Sequence, residues 1–314
     1  MAATTEGNMY DLIIIGSGPA GLSAAVYGSR AGLDLLVLEE KPMSGGQVLN
    51  TYEVDNYLGM PGINGFDMGM KFKEHADALG VTFQTAEVTA IEDQGQSKRV
   101  ETADGAVYEA RTLILAAGAE HAKLQVPGEE EYKGKGVSYC ATCDGAFFRK
   151  RDVAVVGGGD VAVEDAIYLA RMCRKVYLVH RRDSLRAAKS LQKRLMACDN
   201  VQILWNRTLA CVCGSELVEK IRLRSVADQL EEELAVEGVF IAVGMHPNTK
   251  AFRANIPCDE RGYVLAGEDC VTRVPGVFAA GDIRTKQVRQ IITAVADGAC
   301  AVASAEQYLN RQEE

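Results

Sequence analysis

Short apolar runs alternate along this chain with Ala-rich stretches of helical period, a pattern that predicts parallel strands with helices between them. Tyr10–Ile15 reads as a buried strand running into Gly16-Ser17-Gly18-Pro19-Ala20-Gly21. A helix over about Ala20–Ala31, ended by Gly32, and a strand over Asp34–Leu38 ending in Glu39 follow. The same order returns later. Asp152–Val156 reads as a strand and Gly157-Gly158-Gly159-Asp160-Val161-Ala162 as the turn. Ala162–Met172 reads as a helix and Val176–Val179 as the next strand, ending in His180-Arg181-Arg182. From first glycine to strand-end residue is 23 positions in the first copy and 24 in the second. Two units of matching length and order predict an α/β fold with two Rossmann-like dinucleotide-binding domains.

Two further apolar strands run into glycine, Leu113–Gly118 and Val277–Gly281, the latter followed by Asp282. The first closes the N-terminal unit. The second comes after the repeat, so the N-terminal unit is expected to take its last segment from the C-terminus. That places one domain over 1–118 and 247–314 and inserts the other, 119–246, into it. The polar stretches 92–110 and 214–235 are expected to form β-hairpin or meander connections.

Composition narrows the class. The 314 residues are 47% apolar and 25% charged, ordinary for a globular chain and unlike a disordered one. With 34 Lys and Arg against 43 Asp and Glu the net charge is −9, which disfavours a general nucleic-acid or anionic-membrane binder. No apolar run has the length of a membrane span. Met1–Asn8 lacks a basic segment followed by an apolar one, so no signal peptide is expected. The nine cysteines cannot all pair internally, and a cytoplasmic location with most thiols reduced is expected.

The first glycine turn has a context that a lone G-x-G-x-x-G lacks: a strand before it, a helix after it and an acid at the next strand end. Glycines let backbone N–H groups approach a pyrophosphate, the helix N-terminus favours its charge, and Glu39 would accept hydrogen bonds from a ribose. The second turn is the G-x-G-x-x-A variant. Arg181 and Arg182 stand where the ribose-binding acid would be, with Arg186 expected one helical turn on. Arginines there favour a 2′-phosphate. At about 2 kcal/mol per charge-assisted contact, two contacts give roughly a thousandfold preference for NADP over NAD. Residues 171–194 hold nine Lys and Arg against the single acid Asp183. A solvated basic helix face is the plainer reading of that run; nucleic-acid binding is disfavoured because the run sits on a dinucleotide fold.

Cys140-Ala141-Thr142-Cys143-Asp144 lies shortly before the second turn. Thiols at this spacing can close a small disulfide ring and exchange it with another disulfide, and Asp144 places a carboxyl beside them to move protons. Half of a zinc site and an inert apolar pair are the alternatives. Zinc needs two more ligands, and the remaining close pair, Cys211 and Cys213, has C-x-C rather than the usual spacing. For Cys173, Cys198, Cys258, Cys270 and Cys300 packing is the default reading.

Taken in order, Gly16–Gly21, Gly45-Gly46-Gln47, Cys140–Gly145, Gly157–Gly159, His180-Arg181-Arg182 and Ala280-Gly281-Asp282 resemble the low-molecular-weight, bacterial-type thioredoxin reductases. The resemblance runs from about Met9 to Leu309. It implies FAD in the first unit, with Gly16, Gly18, Pro19, Ala20, Gly21, Glu39 and Glu40 among its contacts. Gly46, Gln47, Asn56, Val88, Ala117 and Gly118 would join them, as would Gly281, Asp282, Arg289, Gln290 and Ile291. It implies NADPH in the second unit, at Gly157, Gly158, Gly159, Asp160, His180, Arg181, Arg182 and Arg186, and no metal. It also implies that Cys143 faces the flavin, that Cys140 attacks thioredoxin and that Asp144 protonates the leaving dithiol. A homodimer through the FAD domains is implied as well.

Departures are small. Ala116-Ala117-Gly118 replaces the usual Ala-Thr-Gly, and Asp160-Val161 stands where Asn-Thr or Asp-Ser is common. The intact His180-Arg181-Arg182 with Arg186 argues against relatives that draw electrons from ferredoxin or act as dithiol oxidases. The nicotinamide and Cys143 must both reach the flavin, so the inserted segment is expected to rotate, with hinges near Gly118–His121 and Gly244–Pro247. Two other readings stay open: a reductase of a different dithiol protein, glutaredoxin-like or of a peroxiredoxin system, and a flavin redox sensor without turnover. An NADPH motif beside the C-x-x-C disfavours the sensor.

Overall fold

The computed structural model describes residues 9–51, 54 and 56–313. The signal-peptide reading of Met1–Asn8 lies outside the described residues. The chain divides into two compact units, Met1–Glu120 with His246–Glu314, and His121–Met245.

The chain starts in the first unit with β1 (Met9–Ile15), α1 (Pro19–Arg30) and β2 (Leu35–Glu39), then α2 (Gly65–Ala78) and β3 (Thr82–Thr85). β4 (Val88–Asp93), β5 (Lys98–Thr102) and β6 (Val107–Leu115) follow. β7 (Ala119–His121) leads into the second unit. That unit contains β8 (Val137–Ser138), α3 (Ala141–Asp144), β9 (Asp152–Gly157), α4 (Asp160–Ala170), β10 (Lys175–His180) and α5 (Lys189–Met196). It continues with β11 (Val201–Trp205), β12 (Arg207–Gly214), β13 (Val218–Ser225), β14 (Glu231–Ala235) and β15 (Gly238–Ala242). β16 (Met245–Pro247) leads back, and β17 (Val277–Ala279) and α6 (Ile291–Glu313) complete the first unit.

In the first unit β3, β2, β1 and β6 run parallel in that order, and β17 joins β6 in parallel, with Phe278 opposite Ile114. β1 is apolar at consecutive positions because both its faces are covered. Leu12 and Ile14 pack with α1 and α6, while Ile13 and Ile15 pack with Leu36, Phe252 and Val264. β4, β5 and β6 are antiparallel, which answers the polar stretch 92–110.

The second unit repeats the scheme. β11, β10, β9, β15 and β8 form a parallel sheet, and β12, β13 and β14 a separate antiparallel one over 207–235. Each unit closes where the chain passes in and out. Asn248 N donates to Gly118 O at 3.0 Å in the first, and Ala122 N to Gly244 O at 2.9 Å in the second. No described helix is long and apolar enough to cross a membrane.

Two expectations are corrected. α4 starts at Asp160, not Ala162, because Gly159 caps it and the Asp160 carboxylate sits in the first turn, where the helix dipole favours it. Residues 181–188 form a loop and the helix begins at Lys189, so Arg186 is not one helical turn beyond the strand. The loop wins because it is pinned to the glycine turn, with Arg186 N donating to Gly158 O at 2.8 Å.

Candidate functional site

In the first unit β1 delivers the chain into the turn at Gly16, whose φ of 102° and contact with the Ala116 carbonyl leave no room for a side chain. Gly18 caps α1 with no side-chain hydrogen bond, so the amides of the first helical turn face outward for an anion. A side chain at Gly18 would meet only the Gly46 Cα, at 3.9 Å, so the turn is open to an approaching ligand. Gly45 N donates to Ser17 O at 2.8 Å and seats the Gly45-Gly46 turn alongside. Gln47 donates to the Ala119 carbonyl.

At the end of β2, Glu39 Oε2 accepts from Ser17 N at 2.7 Å and from Ser17 Oγ at 2.6 Å. Ser17, unremarked in the sequence, therefore fixes the acid beside the turn. Glu40 next to it is exposed. Ala86 N bonds the Glu39 carbonyl at 2.8 Å, which brings Val88 within two residues of the strand end. Across α1, a side chain at Gly281 would meet Ala20 Cβ at 2.9 Å, so the β17 turn packs on the start of α1 behind Pro19 and Gly21. Asn56 donates to Gln290 at 2.9 Å, and Ile291 packs with Val48 and Met68. Asn248 holds the Ala117 carbonyl at 2.9 Å.

Asp297 organises that region and was not singled out from sequence. It accepts from Gly281 N at 2.8 Å, from Arg284 at 2.7 and 2.8 Å, and from Lys286 at 2.9 Å. Burial pushes its carboxyl up, but the two cations win and hold it below its ordinary value. Asp282 beside it differs: burial holds its carboxyl above the usual range against the pull of Lys286 and Arg289. Its Oδ1 is buried with no hydrogen-bond partner, and so is Arg289 Nε. Each such atom costs about 1–3 kcal/mol unless a ligand meets it. A hydroxylated, phosphate-bearing ligand fits both the orphaned atoms and the open glycine turn.

The second unit builds its turn in the same way. Gly159 caps α4 without a side-chain bond, and nothing lies within 4 Å of where its side chain would be. Any side chain at Gly158 would enter the His180 ring. His180 is buried, bonded to Ser184 O at 3.0 Å, and its imidazole sits below its ordinary pKa because of burial. Its ring thus floors the turn. Asp160 accepts from Ala188 N at 2.8 Å. Arg181, Arg182 and Arg186 are exposed, and none has an acidic partner within ion-pair distance among the described residues. Arg207 and Arg224 in the same unit are paired, to Glu232 at 2.6 Å and Glu231 at 2.7 Å.

Cys140 and Cys143 are joined by a disulfide, with Cα atoms 5.3 Å apart. Cys140 caps the one-turn helix α3, and Cys143 N and Asp144 N both reach its carbonyl. Ser138, at the end of β8, donates to Asp144 Oδ2 at 2.6 Å and accepts from Cys140 N at 3.1 Å. It ties acid and disulfide to one strand end, a role that spacing alone did not reveal. Burial raises the Asp144 carboxyl above its ordinary pKa although the Ser138 bond opposes it. A carboxyl whose proton is held more tightly than usual beside a dithiol can donate it to a departing thiolate. Among the described residues no group of three or more His, Cys, Asp or Glu is arranged to hold a metal ion.

Comparison with known proteins gives consistent matches. The family described as pyridine nucleotide-disulphide oxidoreductase matches residues 10–298. A thioredoxin reductase of Listeria innocua is 46% identical over 311 residues, 99% of this chain and 97% of that protein. The crystal structure of thioredoxin reductase from Streptococcus pyogenes superposes with a TM-score of 0.92 at 44% identity, covering 96% of this chain and 99% of that one. The Lactococcus lactis thioredoxin reductase, described as in the FR conformation, gives 0.66 at 41% identity over 96% of this chain and 99% of its own.

Proposed function

The chain belongs to the pyridine nucleotide-disulphide oxidoreductase family, and from that premise we propose how its residues perform NADPH-dependent reduction of thioredoxin. It is an oxidoreductase acting on a disulfide. In this proposal FAD is the resident group of the first unit and NADPH the co-substrate of the second. When bound, the flavin supplies the conversion between hydride and thiol chemistry.

In the first unit, the α1 amides behind Gly18 would hold the pyrophosphate and Glu39 a ribose, while Asp282 and Arg289 would find their missing partners. In the second, the α4 amides behind Gly159 would hold a pyrophosphate, and Arg181, Arg182 and Arg186 a 2′-phosphate. Their guanidinium groups already stand without acid partners among the described residues.

Once Cys140 and Cys143 are both reduced, Cys140 attacks the thioredoxin disulfide, forming one S–S bond as the thioredoxin S–S bond breaks. Cys143 then attacks Cys140 Sγ, restores the disulfide of this chain and expels thioredoxin with both thiols reduced. Asp144, whose hold on its proton is strengthened by burial and which Ser138 positions, donates to the departing thiolate. The observation that carries this reading is the disulfide joined through Ser138 to a half-buried acid, in the unit that also presents the unpaired arginines.

Dithiol and arginines share one unit, so a rotation of that unit at its two crossings would carry both. The Streptococcus and Lactococcus structures support more than one pose in this family: at nearly equal identity and coverage they superpose with quite different TM-scores. A homodimer through the first unit and a cytoplasmic location complete the proposal. The test is NADPH oxidation by the purified yellow protein with thioredoxin disulfide as acceptor, and mixed-disulfide trapping with Cys143→Ser. Steady turnover and a trap through Cys140 are expected. Turnover only with a glutaredoxin-like acceptor, or a trap through Cys143 in Cys140→Ser, would overturn the partner or the cysteine roles respectively.

A further inference from the structure

A second pair of sulfurs lies outside this machinery, on β12. Cys211 and Cys213 flank Val212, which is 2% exposed and packed in the core, so both cysteines point to the opposite, partly exposed face. In a regular strand, positions two apart are roughly 7 Å apart. Here the two Sγ atoms are 2.7 Å apart. The cause is local: the pairing of β12 with β13 shifts register between Leu209 and Cys211 and again between Cys213 and Gly214. Irregularities on both sides re-aim the two side chains toward each other. A disulfide needs a sulfur separation of about 2.0 Å, so closing this one requires only a small movement.

The surroundings suit thiol chemistry. Arg222 stands opposite Cys211 and Lys220 opposite Cys213 on β13. Their charges are shared with β14, Lys220 lying 2.8 Å from Glu233 and Arg222 3.6 Å from Glu231. Cations beside a partly exposed thiol favour its thiolate. Burial and the contact with Cys213 push the Cys211 thiol up to about 11, so at neutral pH it keeps its proton.

We propose that Cys211 and Cys213 form a second dithiol–disulfide couple, oxidised by hydroperoxides and independent of the Cys140–Cys143 pair. Cys213 attacks the peroxide oxygen and the O–O bond breaks, releasing an alcohol or, from hydrogen peroxide, water. Cys211 then attacks the sulfenic sulfur of Cys213, the S–S bond forms and a water leaves. Two thiols thus give two electrons and two protons to one peroxide. The inference does not depend on the thioredoxin-reductase reading.

Cleavage after Arg207 and Lys220 yields one peptide, Thr208–Lys220, that holds both cysteines and no other. The experiment reduces the purified holoenzyme with dithiothreitol, removes the reductant and exposes the protein to hydrogen peroxide, then denatures, alkylates without reductant and maps peptides by mass. Gly136–Arg149, which carries Cys140 and Cys143, serves as the reference. The expected result is a Thr208–Lys220 peptide lighter by two hydrogens and free of alkyl groups, which takes two alkyl groups after dithiothreitol. A peptide that takes two alkyl groups while the reference is oxidised overturns the proposal. So does one ending as a sulfinic acid with its other thiol alkylated. In Cys213→Ser, Cys211 is expected to stay alkylatable, and its oxidation instead would overturn the assignment of the attacking sulfur.

Discussion

The two nucleotide turns can be compared position by position. In each, the middle glycine, Gly18 or Gly159, caps a helix with backbone alone and has open space where a side chain would stand. They part at the strand end. Glu39 is already bonded twice to Ser17, while Arg181 and Arg182 lie in solvent without acid partners among the described residues. The two buried orphaned atoms among the described residues, on Asp282 and Arg289, both belong to the first unit. A site with unmet buried atoms is costly when empty and suits a group that stays. A site whose charges rest in water loses little when empty and suits a molecule that comes and goes.

The sharpest way to break this contrast is to block both turns alike. Gly18 and Gly159 have extended backbones that any residue adopts, with φ of −70° and −93°, so a valine strains neither. Gly18→Val should yield colourless, inactive protein. Gly159→Val should stay yellow and lose about a hundredfold in kcat/KM for NADPH through misplacement of the co-substrate. Flavin absorbance and steady-state rates decide it, and matching outcomes in the two variants would end the distinction.

Short of the complete loss in Gly18→Val, a large effect is expected when Arg181 and Arg182 are both made neutral. The preference for NADPH over NADH should fall by up to about a thousandfold, with KM for NADH little changed. Comparison of kcat/KM for the two coenzymes measures it. An unaltered preference would place the phosphate site elsewhere.

The last rate effect concerns Asp144, the half-buried acid of the second unit. Asp144→Asn should keep the colour and the NADPH affinity and lose about a hundredfold in turnover with thioredoxin. Its stability should move the other way. The folded carboxyl is raised above its unfolded value, so its contribution is full below about pH 3.9 and is lost as pH rises through the raised value. Asparagine does not ionise. The variant's melting temperature relative to wild type should therefore climb over that window and level off above it. Melting curves between pH 4 and 8 check the sign.

Features set by short spacing were legible in the chain: both glycine turns, the C-x-x-C, the arginines after β10 and the polar meanders. Features set by contacts across the fold were not. Ser138 matters because β8 ends where Asp144 returns, six residues on, and Asp297 because α6 brings it to Gly281 N, sixteen residues back. Arg186 was misplaced because a helical reading of 181–188 could not foresee the bond from its own amide to Gly158. The approach of Cys211 to Cys213 was equally hidden, since it depends on bulges that only pairing with β13 creates.

The hydrogen bonds at the passages, Asn248 to Gly118 in one unit and Ala122 to Gly244 in the other, have a consequence for how separable the units are. Each unit has its two cut ends already side by side, so closing either one needs only a short connector, and the entropy of that closure is small. A second unit can be spliced into such a place without disturbing the sheet that receives it, and it can be lifted out again. The second unit is thus a cassette. Replacing His121–Met245 with a few glycines and serines leaves a chain that still owns every strand of the first unit's sheet.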